Sequence, residues 1–187
     1  DLITLNLNGY TWIGYPVQQS MNVSDALADL DAEIGDLIKS KSSMAMYMGN
    51  DWIGTLNSLE PGHGYMYKST AATTKTFTYP SNRSGEVKAN IIGEGNYWTP
   101  EMSRFANNMN MLAVVEFNGA EAMDDNIEVG AFVGDECRGS VRLMRVEETG
   151  RYMAFLTIHG ETGELVRFRV LNNNEECNVN ETIELHI

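Results

Sequence analysis

Short segments with two-residue alternation, each closed by a turn signal, dominate the second half of this chain and limit what it can fold into. Leu165-Val166-Arg167-Phe168-Arg169-Val170 alternates apolar and charged residues, and Thr182-Ile183-Glu184-Leu185-His186-Ile187 does so again. A period of two puts like side chains on one face of a strand, whereas a helix needs a period near 3.6. Leu112–Phe117 ends at Asn118-Gly119, and Glu128–Val133 ends at Gly134-Asp135-Glu136. Strands are also expected over Cys137–Val146 and Tyr152–Ile158, with a turn at Gly160-Glu161-Thr162-Gly163. About six short strands with regular turns predict an antiparallel β-sandwich over residues 96–187.

The first half reads differently. Leu2–Leu7 and Tyr10–Tyr15 are expected strands on either side of the Asn8-Gly9 turn signal. Val23, Leu27, Leu30 and Ile34 then recur at helical spacing, with Asn22 as N-cap, Asp25 in the first turn and Gly35 as the stop. This predicts one helix. Strands resume at Met44–Met48 and Asp51–Leu56 around Gly49-Asn50, at Tyr65–Lys68 after Pro61-Gly62-His63-Gly64, and at Thr76–Tyr79. The expectation is a mainly β chain: a small α+β domain over residues 1–80, a Pro/Ser/Asn/Gly-rich linker over 81–95, and the sandwich.

Charge narrows the partners. The net charge is −13; residues 1–90 carry 6 Lys and Arg against 9 Asp and Glu, and residues 91–187 carry 7 against 17. Such a surface repels phosphate backbones and anionic lipids, so nucleic acid is not an expected partner. No apolar run reaches the roughly 20 residues of a membrane helix, and membrane insertion is not expected. Opening at Asp1, the chain is expected to be a mature piece of a longer protein.

Catalytic patterns find little footing. His63, His159 and His186 form no helical pair, and neither HExxH nor GxSxG occurs. Cys137 precedes Arg138, which could lower its pKa, although its strand position favours packing. Acidic pairs are too numerous to single out a glycosidase dyad. The chain is therefore not expected to be an enzyme. Cys137 and Cys177 could pair, which would contribute roughly 4 kcal/mol by loop closure, or stand as buried thiols. Asp124, Asp125 and Asp135 lie in oxygen-rich turns and are read first as solvated turn acids; calcium would be the fitting ion in the alternative reading, and no cofactor is otherwise expected.

Aromatic residues are the remaining candidates. Tyr10, Trp12, Trp52, Tyr97 and Trp98 could form a platform for sugar rings or a protein partner. Tyr10 and Trp12 share one strand face, opposite Ile13 and Tyr15. For Trp12 and Trp52 a place in the core is the favoured reading, while Tyr97-Trp98, outside a clear strand, is the better candidate for exposure.

Two stretches carry a resemblance. Gly9-Tyr10-Thr11-Trp12-Ile13-Gly14-Tyr15-Pro16 followed by Leu59-Glu60-Pro61-Gly62-His63-Gly64-Tyr65-Met66-Tyr67-Lys68 resembles a module of secreted Bacteroidota-type proteins, with Tyr10 where a tryptophan is usual. Val129–Gly139 (VGAFVGDECRG) with Phe155–Gly160 (FLTIHG) is similar to a β-rich module of the same class of surface proteins. The resemblance implies tandem modules of a long multi-module chain, exported to the cell surface or secreted, and non-enzymatic. It names no ligand. The expected role is binding or adhesion toward an unidentified protein or glycan, or toward other domains of the same chain; a carbohydrate-binding module and a structural spacer are the alternatives.

Overall fold

The computed structural model describes residues 4–80, 87–90 and 95–186. The chain divides into two compact units, Asp1–Ile92 and Gly93–Ile187, each with its own apolar core. It is mainly β, and all strand pairs among the described residues are antiparallel.

The first unit contains β1 (Thr4–Leu7), β2 (Tyr10–Gly14), β3 (Met21–Asn22), α1 (Val23–Ala26), β4 (Leu37–Lys39), β5 (Met44–Tyr47), β6 (Trp52–Gly54), β7 (Ser58–Leu59), β8 (Gly64–Lys68) and β9 (Lys75–Thr78). The main sheet runs β2-β8-β4-β5-β6, with β1-β9 and β3-β7 as two-stranded companions. Register explains its sidedness. Thr11, Tyr67, Ile38 and Ala45 align across four strands, and Ile13 and Tyr65 align across two of them. Ile13, Tyr65, Tyr67, Ile38 and Ala45 are buried and put this face on the core. Asn8-Gly9 is a turn as expected, with Gly9 at φ +53°, and it passes the chain from one sheet to another: β1 pairs β9, and β2 pairs β8. Gly49, at φ +116°, closes the β5–β6 hairpin, where the Met48 N–H donates to Asp51 O at 3.0 Å.

The expected helix is cut to one turn. Val23, Leu27 and Leu30 do face the core, but the helix spans only Val23–Ala26, Asn22 makes no side-chain cap bond, and Ile34 is 71% exposed. Sheet pairing wins over the apolar stripe. Gly35 N–H donates to Tyr47 O and Tyr47 N–H to Asp36 O, so the chain must turn at Gly35, whose φ is +92°, and enter β4 at Leu37. Too few residues remain for a helix that is stable without packing on all its turns.

Asp36 anchors that path. Its buried carboxylate accepts bonds from Tyr67 Oη (2.5 Å), Thr70 N (2.6 Å), Thr70 Oγ1 (2.8 Å), Lys75 Nζ (2.9 Å) and Glu33 N (3.0 Å). Burial opposes its ionisation, but donation from Thr70, Tyr67, Glu33 and Lys75 outweighs burial and holds the carboxyl down to about 2. The same burial, with the Asp36 charge alongside, pushes the Tyr67 phenol upward.

The second unit contains a 3-10 turn at Met102–Arg104, then β10 (Asn108–Ala113), β11 (Glu116–Phe117), β12 (Ala120–Glu121), β13 (Glu128–Val133), β14 (Glu136–Arg142), β15 (Met144–Val146), β16 (Arg151–His159), β17 (Leu165–Asn172) and β18 (Glu175–Glu184). Its sheets are β14-β13-β17-β18 and β10-β16-β15, with a β11-β12 hairpin. Val129, Val141, Val166 and Phe168 of the first meet Leu156 and Ile158 of the second in one core, which is sandwich-like. Two devices missed in the sequence shape it. Asn173 and Asn174, at φ +50° and +62°, make the tight β17–β18 turn, so β18 begins seven residues before Thr182. Gly139 lets β14 lie directly against β16: a Cβ there would sit 2.2 Å from Thr157 O.

The expected linker over 81–95 is described only in part. Residues 81–86 and 91–94 lie outside the described residues. Residues 88–90 are bonded to the first unit: Lys88 N–H donates to Asn22 Oδ1, and Asn90 Oδ1 accepts from the N–H groups of Asn57 (2.7 Å) and Ser58 (2.8 Å). Gly95 already belongs to the second, its carbonyl accepting from Arg142 Nη2 at 2.6 Å.

Candidate functional site

Tyr10 and Trp12 stand on the outer face of β2, 67% and 77% exposed. They sit there because Ile13 takes the inward position and alternation along β2 turns Tyr10 and Trp12 to the other face. Tyr10 lies opposite Lys68 and Trp12 opposite Met66 on β8. Lys68 Nζ is 5.5 Å from the Tyr10 ring centroid, a cation–π contact that orients the ring. One side of the patch is thus aromatic and the other carries a cation and a thioether.

The other expected aromatics divide. Trp52 belongs to the core, packed against Tyr47 and Tyr67 at 5.5 and 6.2 Å, and is no platform residue. Tyr97 is 65% exposed in the second unit, but Trp98 is buried and packs edge-on against Phe132 at 5.4 Å. Buried Glu128 fixes both: its carboxylate accepts from Tyr97 N at 2.7 Å and Trp98 N at 3.0 Å. Ser140 Oγ donates to Trp98 O at 2.6 Å, and Gly130 leaves room for the indole, since a Cβ there would meet it at 2.7 Å. The exposed aromatics therefore form no single row: Tyr10 and Trp12 are adjacent, and Tyr97 belongs to the other unit.

The turn acids are not gathered. Asp124 accepts from the backbone and side chain of Asn126, both at 2.9 Å, and those bonds lower its pKa. Asp125 is exposed beside it. Asp135, on a different turn, pairs with Arg169 at 3.0 Å. Among the described residues no three His, Cys, Asp or Glu side chains cluster as metal ligands.

The cysteines are free. Cys137 on β14 and Cys177 on β18 lie at opposite edges of a four-stranded sheet, three strand spacings or about 14 Å apart, twice the roughly 7 Å that a disulfide spans. Burial pushes the Cys137 thiol up to about 11, which is the behaviour of a packed strand residue. Arg138 is engaged elsewhere. It is buried, donates to both oxygens of Glu164 at 3.0 and 2.9 Å, and stacks 4.1 Å from the Phe105 ring centroid. Its contact with Glu136, at 3.4 Å, is the minor one. His63 and His186 are exposed and His159 is buried, each on a separate segment.

One concavity stands out in the second unit, a groove of about 700 Å³. Met111, Phe117, Phe168, Cys177, Val179 and Ile183 supply apolar lining, while Glu116 and Glu181 supply its charge. No run of residues announces it, because its walls come from five strands.

No protein family, curated protein or solved structure matches this chain.

Proposed function

We propose that this chain is a non-catalytic binding module of a larger exported bacterial protein, held at the cell surface or secreted, and that its first unit makes contact through Tyr10 and Trp12. The observation that carries this reading is the placement of Trp12. Burying a side chain of this size is worth roughly 2–3 kcal/mol, yet Trp12 stands in water on an edge strand while Trp52, with the same Trp-Ile-Gly context, packs inside. An exposed aromatic pair with an adjacent cation is what an adhesive contact uses: flat rings for apolar area, with few rotamers to freeze.

A glycan is the favoured partner class of the two considered, protein or glycan. Tyr10 and Trp12 project from the same face at positions i and i+2, about 6.6 Å apart along the strand, so successive sugar rings could stack on them. The test is direct. The purified chain and its Trp12→Ala and Tyr10→Ala variants are applied to a glycan array and to insoluble polysaccharides. Loss of binding in both variants, with unchanged melting temperature, supports the reading. Binding to a protein and to no glycan, lost in the same variants, keeps the module and changes the partner. If the variants bind everything that the parent binds, Tyr10 and Trp12 are not the contact, and a spacer role takes precedence.

A further inference from the structure

The two sheets of the second unit are unequal, four strands against three. At one edge the mismatch is closed: β14 lies on β16 with no room for a Cβ at Gly139. At the other edge it stays open. There, among the described residues, β18 and β10 each pair on one side only, β18 with β17 and β10 with β16. The groove of about 700 Å³ lies between these two edges.

Residues that should be covered are not. On β18, Cys177 aligns with buried Val170, and Ile183 with buried Val166, so both turn toward the sandwich interior. Yet Cys177 is exposed, and Ile183 and Val179 are only half-buried. In a complete sandwich a strand of the facing sheet would lie over them. The position beside β10 is where that strand is missing.

Both edges are also irregular at this point. Between Arg167 and Arg169 on β17, β18 runs from Thr182 back to Asn178, so three residues bulge opposite Phe168. Across the groove, β10 stops at Ala113, and Val114 and Val115 intervene before β11. At Asn110 and Leu112 the outer edge of β10 keeps its pairing capacity. Gly160 N–H donates to Asn107 O, which sets the phase of the β10–β16 ladder and turns the backbone groups of Asn110 and Leu112 away from β16.

Charge selects the occupant. The groove is lined by Glu116 and Glu181 and by no Lys or Arg. β18 carries Glu175, Glu176, Glu181 and Glu184, of which Glu176 is paired with Arg169. Like charges disfavour the addition of a second copy of this acidic edge. We infer that the groove between β10 and β18 receives an extended peptide strand from a partner protein, with apolar residues alternating with Lys or Arg. The strand adds to β10, seats its apolar side chains over Phe168, Cys177 and Val179, and meets Glu116 and Glu181 with its cations.

The native cysteines provide the readout. Cys177 lies in the groove, whereas Cys137 is half-buried on the far edge and serves as internal control. The probe is a ten-residue peptide alternating Val and Lys. Its counterpart alternates Val and Glu, and a third peptide is the Val/Lys sequence N-methylated at every second residue, which cannot extend a ladder. Saturable binding of the Val/Lys peptide is expected, with Cys177 alkylation slowed at least tenfold, Cys137 unchanged, and amide exchange slowed at Asn110 and Leu112. Glu116→Lys with Glu181→Lys, both on exposed positions, should weaken binding at least tenfold and leave the melting temperature unaltered. Bulky alkylation of Cys177 in the folded protein should block binding without any substitution. No saturable binding of the Val/Lys peptide overturns the inference. So does equal binding of the Val/Glu peptide, equal protection by the N-methylated one (a compact apolar ligand instead of a strand), or a concentration-dependent dimer that protects Cys177 unaided.

Discussion

Trp12 and Trp52 occupy the same local sequence, Trp-Ile-Gly, and have opposite fates. Trp52 is wedged between Tyr47 and Tyr67, so Trp52→Ala should cost about 3–5 kcal/mol in urea unfolding. Trp12→Ala should stay within about 0.5 kcal/mol of the parent. Equal losses would mean that Trp12 packs against something after all. Asp36 makes a second prediction. Its carboxyl is depressed from 3.8 to about 2 in the folded chain, so the stability it contributes is fully present above about pH 4. That contribution, about 2 kcal/mol, is lost as pH falls through 2. Urea midpoints measured from pH 5 to pH 2 should fall for the parent and fall less steeply for Asp36→Asn. Parallel curves would remove Asp36 from the acid sensitivity.

Strands and turns depend on contacts that span many residues. The Tyr97-Trp98 segment is not itself a strand, and it is held on the four-stranded sheet by Glu128 and Ser140. Glu128→Ala should strand two backbone donors, that of Trp98 buried and that of Tyr97 part-buried, and cost about 2–3 kcal/mol. It should also shift Trp98 fluorescence to the red as the indole leaves Phe132. Unchanged emission together with unchanged stability would show that the indole seat holds this segment without Glu128. Close packing between β14 and β16 gives a complementary case. Gly139→Ala places a methyl group against Thr157 O, where backbone must move, so a loss above about 2 kcal/mol is expected in the same unfolding assay.

The molecule as a whole is two units with separate cores. Leu7, Ile38, Tyr67 and Phe77 belong to one core, and Val129, Leu156, Ile158 and Val166 to the other. Expressed separately, residues 1–92 and 93–187 should each show a cooperative thermal transition and dispersed amide resonances. An excised unit that remains unfolded would show that its core needs the other. The same division sorts the surfaces: an aromatic pair beside a cation in the first unit, an apolar groove with acidic walls in the second. Two distinct surfaces on one chain suit a module that holds a target with one unit and a neighbouring protein with the other.

Where the chain would be extended was legible from residue order, because alternation is a property of neighbours. Glu128–Val133 and Leu165–Val170 form strands where their pattern places them, and Gly49-Asn50 turns where expected. The mainly β class follows from such segments. Which face meets a core is settled instead by pairing between distant residues. Trp12 is exposed because pairing with β8 puts Ile13, not Trp12, on the core face of β2, and Trp98 is buried because Glu128, thirty residues on, captures its backbone. The helix read from Val23, Leu27, Leu30 and Ile34 gave way to Asp36 and Tyr47, whose bonds lie outside any local window. The groove, likewise, exists because one sheet has a strand fewer than the other. Local spacing carries the propensity of each segment, but burial, exposure and concavity arise from the order in which the strands assemble.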